Sequence, residues 1–265
     1  MVTRITGNKV PKTVAMNGDS TQAIILAGGL GTRFRSVRSD IPKSMAEIDG
    51  RPLLEHQVQS LRDCGVTRIV LCVGHLAGAV SQHFGDGTTL GLRIDYAVER
   101  EPLGTGGAIL NARPFLDEEP FLVLNGDSLL PELSFHDIVS CHLAHQSSEP
   151  GTVGTLVVIQ APDRGAYGVI EMDTSGTRVL DFREKAPVDT TRAMISGGVY
   201  VLDPVVFDHI PAGRAVSVER EVFPTILEAG GRLWAYRYDG FFGDIGTPEG
   251  YQRVDRYMRE AGKKV

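Results

Sequence analysis

The chain has 265 residues, with 33 acidic side chains against 27 basic ones, a formal net charge of −6 and 42% apolar residues. That length fits one large or two small domains. The acidic balance argues against a general phosphate-backbone binder of nucleic acid, the apolar content against a disordered chain, and no apolar run approaches the roughly 18 residues of a membrane span.

Residues 1–20 are polar and lack the roughly 7–15-residue apolar core of a signal peptide, so they read as a loose extension, with the cytoplasm as the default location. The structured domain is expected over 21–265. Ala23–Ala27 is a short apolar run stopped by Gly28-Gly29, the pattern of a buried parallel strand. Leu53–Cys64 carries helical spacing (Leu53, Leu54, Val58, Leu61) and stops at Gly65. Further elements follow in alternation: a strand over Arg68–Val73, a helix over His75–Phe84, a strand over Leu92–Val98, a short helix over Thr105–Asn111 and a strand over Phe121–Leu124. This alternation predicts an α/β sheet with crossover helices.

The second half reads differently. Thr152–Gln160, Gly168–Met172, Val179–Phe182 and Gly198–Leu202 are expected strands with little helix between them, and helices return over Val218–Ala229 and Pro248–Met258. A mixed sheet follows, its later part supplying a lid or a substrate-binding face. Cys64, Cys72 and Cys141 are an odd count without metal-ligand spacing, and read as buried or free thiols of a reducing compartment.

Glycine is in excess, 31 of 265, against a usual share of roughly 7% and without a Gly-X-Y period. The first cluster is Leu26-Ala27-Gly28-Gly29-Leu30-Gly31-Thr32-Arg33. A buried strand delivers this turn to the carboxyl edge of a sheet, where open α/β folds bind ligands, and bare glycines let backbone N–H groups approach phosphate oxygens. No Gly-Lys-Ser/Thr follows, so it is not a P-loop. Phe34 stands where a dinucleotide fingerprint needs its third glycine, which disfavours a nicotinamide dehydrogenase. Residues 28–43 hold Arg33, Arg35, Arg38 and Lys43 against the single Asp40, a cationic stretch that suits a triphosphate, and Pro42 stiffens the approach to Lys43.

The second cluster, Glu99-Arg100-Glu101-Pro102-Leu103-Gly104-Thr105-Gly106-Gly107-Ala108, also joins a strand to a helix. Either Glu99 or Glu101 has the acceptor pair that the N1–H and N2–H of guanine require, and Gly106 and Gly107 are expected to let the ligand approach. Asn125-Gly126-Asp127 follows a buried strand, and Asp244 is flanked by glycines in Phe242-Gly243-Asp244-Ile245-Gly246. Two aspartates so placed suit Mg²⁺, which takes one or two carboxylates plus substrate phosphates. At the end of a strand, Glu184 and Lys185 offer a hydroxyl acceptor and a phosphate partner. In Ser196-Gly197-Gly198-Val199-Tyr200, a strand entry, Gly197 or Gly198 would let a sugar lie against backbone.

Together these motifs resemble the sugar-1-phosphate nucleotidylyltransferases over about residues 22–258, and within them most nearly the D-glycero-D-manno-heptose 1-phosphate guanylyltransferases. The narrower likeness rests on Glu99-x-Glu101-Pro102-Leu103-Gly104-Thr105-Gly106-Gly107-Ala108, on Ile170 after Tyr167-Gly168, and on Asp244-Ile245-Gly246-Thr247-Pro248-Glu249-Gly250-Tyr251. The compact length, which leaves no room for a C-terminal β-helix domain, agrees with it. The resemblance implies a single-domain, Rossmann-like α/β fold with a mainly parallel sheet (the nucleotide-diphospho-sugar transferase fold), a Mg²⁺ requirement, and transfer of a nucleoside monophosphate to a sugar 1-phosphate. By motif, Arg33, Lys43, Asp127 and Asp244 would be catalytic, with Asp127 and Asp244 as metal ligands. Leu26, Ala27, Gly28, Gly29, Gly31, Thr32, Glu99, Glu101, Leu103, Gly104, Thr105, Asn125 and Gly126 would line the nucleotide. Gly168, Glu184, Lys185, Gly197 and Gly198 would meet the sugar phosphate. One departure stands out: the family usually has Pro-Lys-Pro, and here Ser44 follows Pro42-Lys43.

The expected partners are GTP and a sugar 1-phosphate, with a homo-oligomer allowed and with neither nucleic acid nor membrane. Mannose, glucose or N-acetylmuramate 1-phosphate with another base is the rival within enzymes. A non-catalytic nucleotide-sugar sensor is the rival outside them, and such a relative would be expected to have lost Arg33, Lys43, Asp127 or Asp244.

Overall fold

A computed structural model of the protein describes residues 21–29, 41–161, 168–183 and 193–262. The expected extension over 1–20 lies outside them. The chain opens with β1 (Gln22–Leu26), a 3₁₀ turn (Lys43–Met45), the short β2 (Glu47–Ile48) and β3 (Arg51–Pro52), α1 (Leu53–Asp63), β4 (Arg68–Val73), α2 (Ala77–Phe84), β5 (Arg93–Val98), α3 (Gly104–Ala112), β6 (Phe121–Asn125) and β7 (Ser128–Leu129). Then come α4 (Phe135–Ser148), β8 (Thr152–Gln160), β9 (Val169–Met172), β10 (Val179–Arg183), β11 (Met194–Leu202), a π-helical turn (Val218–Val222), α5 (Phe223–Glu228), β12 (Arg232–Arg237), β13 (Gly243–Asp244) and α6 (Pro248–Gly262).

The main sheet has nine strands, and its path runs β10-β9-β11-β6-β1-β4-β5, with β8 beside β11 and β12 beside β8. The pairs β1/β4, β1/β6 and β4/β5 are parallel, whereas β11 runs antiparallel to β6, β8 and β9. From β1 the chain winds outward through β4 and β5, then crosses back to lay β6 on the other side of β1. That reversal opens a crevice outside the carboxyl ends of β1 and β6, where doubly wound sheets take ligands.

Period-two alternation divides β1 between two cores. Ala23 and Ile25 join Leu54, Val58 and Leu61 of α1, Val80 of α2 and Ile138 of α4 on one face, and Ile24 joins Ala108 and Ile109 of α3 and Phe223 of α5 on the other. Each such fully buried aliphatic side chain stabilises the fold by roughly 1.5–3 kcal/mol. A third, smaller core gathers Ala46, Ile48, Leu53, Leu129, Ile245 and Val254 beneath the crevice.

Every expected strand and helix is present, within a few residues at each end. The 218–229 segment is a π turn leading into α5, because Pro224 has no N–H to return to the carbonyl four residues back. Helix α4 was not expected. Its buried face is Phe135, Ile138, Val139 and His142, so a histidine interrupts the apolar spacing, while Ser134 caps its start by accepting from the Asp137 amide at 3.2 Å. Strand β12 was also unexpected. The three cysteines are free, and burial pushes the thiols of Cys72 and Cys141 upward, so neither offers a thiolate nucleophile. Among the described residues no helix is long and apolar enough to cross a membrane.

Candidate active site

Three side chains from distant parts of the chain meet at the crevice. Pro42 is extended (ψ 146°) and ends the approach, and the turn it starts, with the Ala46 amide bonded to the Lys43 carbonyl at 3.0 Å, aims Lys43 inward. The Lys43 ammonium lies 2.7 Å from Asp127 Oδ2 and 3.9 Å from Asp244 Oδ1. Its side chain is 14% exposed, those of Asp127 and Asp244 39% and 27%. Ser44, where the family usually has proline, is buried, and the turn forms without the second ring. Arg33, with Gly31 and Thr32, lies outside the described residues, as do Glu184 and Lys185.

Backbone pairing fixes the two aspartates against each other. Asp127 leads into β7 and Asp244 sits in β13, and the two strands pair antiparallel with Asp244 opposite Ser128. The Ile245 amide donates to the Asp127 carbonyl at 3.0 Å, and the Gly246 amide donates to Asp244 Oδ1. A side chain at Gly246 would crowd both that oxygen and the Lys43 nitrogen, the latter at 3.3 Å. Two carboxylates within 4 Å of one ammonium form a hard-oxygen pair. Among the described residues no group of three or more histidine, cysteine or acidic ligands gathers. A pair of this kind fits Mg²⁺, which completes its shell with substrate phosphates and water.

Sequence reasoning missed the residue that shapes the Asn125–Ser128 turn. Gln57 of α1 is 4% exposed, and its Nε2 donates to the carbonyls of Asn125 at 2.8 Å and Ser128 at 2.7 Å. The only signal available was a glutamine on the apolar face of a predicted helix. The glycines expected to lie against a sugar have protein neighbours here. Gly198 has φ +72°, and a Cβ there would lie 2.6 Å from Asn125 Nδ2. Gly197 packs against Val157 and Leu130, and Gly168 is exposed near the Arg183 carbonyl.

Around the first turn, Leu26 ends β1 and Ala27 follows it, and the Gly126 amide donates to the Leu26 carbonyl at 3.0 Å. Gly28 faces Glu99: a Cβ there would clash with Oε1, whereas Gly29 looks into open space. Glu99 Oε2 accepts from the Leu103 amide at 3.1 Å. Burial pushes its carboxyl above the ordinary range, and the Leu103 amide pulls against that. Glu101 is exposed. Of the two acidic candidates, Glu99 alone is held against the glycine turn.

Gly106 and Gly107 do not open toward a ligand. Side chains at Gly104 and Gly106 would meet the Val216 carbonyl at 2.5 and 3.3 Å, and one at Gly107 would meet Leu103 Cβ at 2.9 Å. The Gly106 amide donates to Val216 O at 2.8 Å, Val216 N donates to Leu103 O at 2.8 Å, and Val218 N donates to Thr105 Oγ1 at 2.9 Å. These glycines let the 214–218 segment close over the start of α3.

Fold and site define a doubly wound α/β protein with a lysine–aspartate cluster at the switch point of its sheet. Residues 22–260 match the family described as nucleotidyl transferase. The chain is 36% identical to mannose-1-phosphate guanyltransferase beta-A of Xenopus laevis over 87% of its own length and 62% of the relative's. It is 37% identical to mannose-1-phosphate guanylyltransferase of Mycobacterium tuberculosis over the same shares. It therefore spans about three-fifths of these curated relatives. Among solved structures it resembles HddC from Yersinia pseudotuberculosis at 31% identity and a TM-score of 0.74, covering 90% of this chain and 99% of that one. HddC has also been solved with GMP-PN, at 30% identity and a TM-score of 0.73 to this chain, with the same shares covered. The chain belongs to the nucleotidyl transferase family.

Proposed function

We propose that this chain transfers GMP from GTP to the phosphate of a manno-configured sugar 1-phosphate, releasing pyrophosphate and a GDP-sugar. The observation that carries the reading is Lys43 held between Asp127 and Asp244 at the switch point of the sheet. The guanine assignment is supported by the Glu99 carboxylate against Gly28 and by the names of the similar proteins. D-glycero-D-manno-heptose 1-phosphate is the sugar of the motif resemblance. Mannose 1-phosphate is the second reading, favoured by the curated relatives' names.

An oxygen of the sugar phosphate attacks the α-phosphorus of GTP in line. The new O–Pα bond forms as the bond from Pα to the β-phosphate oxygen breaks, and pyrophosphate leaves with the electron pair. A phosphate monoester has its second pKa near about 6, so the nucleophile is ionised at neutral pH and needs no general base. Two anions must be brought together, and the Lys43 ammonium offsets their repulsion and the charge spreading over the phosphoryl oxygens. Asp127 and Asp244 hold the ammonium and would be the ligands for Mg²⁺, which would neutralise charge on the phosphates. By the motif resemblance, Arg33, Gly31 and Thr32 would bind the nucleotide phosphates, Asn125 and Gly126 the nucleotide, and Glu184 and Lys185 the sugar phosphate.

The test is a matrix of GTP, ATP, CTP, UTP and dTTP against mannose, heptose and glucose 1-phosphates, read as pyrophosphate and NDP-sugar formation. GTP with a manno-configured sugar should dominate. A clear preference for another base or for glucose 1-phosphate overturns the proposal.

A further inference from the structure

The π-helical turn at Val218–Val222 places a carboxylate that the function above does not use. Ser217 caps the turn by accepting from the Arg220 amide at 3.3 Å. Val218 N is held by Thr105 Oγ1 at 2.9 Å, so the turn is fixed to the loop that carries Leu103 and Gly104. From it, partly buried Glu219 extends Oε1 to the hydroxyl of Tyr200, which donates at 2.5 Å and is fully buried.

The same tyrosine hydroxyl lies 3.3 Å from Ser196 Oγ, which accepts from the Gly198 amide at 3.1 Å. Gly198 in turn packs on the Asn125 amide. The bulge in β11 between Ser196 and Tyr200, at the edge expected to take the sugar, brings these groups together. An unbroken chain of contacts thus runs from Glu219 to the turn bearing Asp127. Among the described residues Glu219 meets one neutral donor and no cation. A carboxylate has about four lone-pair sites and accepts only, so the Tyr200 hydroxyl leaves Glu219 with acceptor capacity for further donors. The ligand chemistry that supplies such donors without adding charge is a polyol.

We propose that Glu219 binds the sugar half of the substrate, its free carboxylate oxygen accepting from sugar hydroxyls while Tyr200 fixes its orientation. The inference rests on the proposed sugar-1-phosphate reading. A hydrogen bond to a charged group is worth roughly 10- to 100-fold in affinity.

Steady-state kinetics on the wild type and Glu219→Gln, with mannose 1-phosphate and its monodeoxy analogues, test the assignment. The variant should raise the KM for the sugar phosphate about 10- to 100-fold and leave the KM for GTP unchanged. For at least one deoxy analogue, the penalty seen in the wild type should largely vanish in the variant. Equal discrimination by both enzymes against every analogue, or a rise confined to the GTP KM, overturns the proposal. Should Glu219→Gln fail to fold, Tyr200→Phe reads the same contact: a rise in the sugar KM alone supports it, and an equal rise for both substrates overturns it. A wild type inert with every sugar 1-phosphate overturns the function itself, whereas an active wild type matched by its variant overturns only the role of Glu219.

Discussion

The backbone amide of Ile245 donates to the carbonyl of Asp127 at 3.0 Å, and that bond sets the spacing of two acidic residues that lie far apart along the chain. The Ile245 side chain is fully buried with Leu129, Leu53 and Val254, so a small apolar core holds Asp244 in place. Ile245→Ala should cost about 2–5 kcal/mol of stability. Turnover should fall further than the folded fraction accounts for, because Asp244 loses its anchor. Urea unfolding and kcat measured on the same sample separate the two effects.

Glu132 closes the other end of that loop. Its carboxylate accepts from the Tyr238 hydroxyl at 2.6 Å, the Phe241 amide at 3.0 Å and the Tyr257 hydroxyl. Burial works to raise its carboxyl, but these donors together hold it below the ordinary range. The site is exposed, so the expected stability loss in Glu132→Ala is modest, about 1 kcal/mol. The larger effect should be a rise in the Mg²⁺ concentration needed for half-maximal activity, since the 238–246 segment carries a proposed ligand. A variant with unchanged metal dependence would leave Glu132 no part in placing Asp244.

Gly198→Ala forces a side chain onto a backbone at φ +72° and against Asn125 Nδ2. The expected cost is about 1–3 kcal/mol, and the KM for the sugar phosphate should rise with it. Calorimetric melting and steady-state kinetics read both.

His142 supplies a pH signature. It is fully buried, its Nδ1 lies 3.2 Å from Thr155 Oγ1, and burial, opposed by Asp203 and reinforced by His145, lowers its pKa to about 4 from 6.5. The unfolded chain therefore binds the extra proton first. The stability contributed by the neutral ring is complete above pH 6.5 and is lost as pH falls toward 4. The loss across that window is about 3 kcal/mol. Chemical denaturation between pH 7 and 4 should show this slope in the wild type and a flatter one in His142→Gln.

Much of this was legible because the signals were local. Apolar runs stopped by glycine marked the strands, and residues just past strand ends, such as Asp127, fell at the carboxyl edge of the sheet. A joint role for Asp127 and Asp244 was suggested by their glycine-flanked turns, but spacing along the chain says nothing about strands β7 and β13 pairing or about Lys43 lying between the two. What a glycine faces is equally hidden: Gly106 and Gly107 looked open to a ligand and instead receive the 214–218 segment and Leu103. Helix α4 was obscured by a histidine on its buried face. Gln57, Glu132 and Glu219 act through long-range hydrogen bonds that leave no periodic trace.

The central claim is that Lys43, clasped by Asp127 and Asp244, drives nucleotidyl transfer. Pyrophosphate release from GTP and mannose or heptose 1-phosphate, compared between the wild type and a folded Lys43→Ala variant, tests it most directly. The account predicts a fall of about 100- to 1000-fold in kcat with the melting temperature little changed. Near wild-type release by the variant would contradict it.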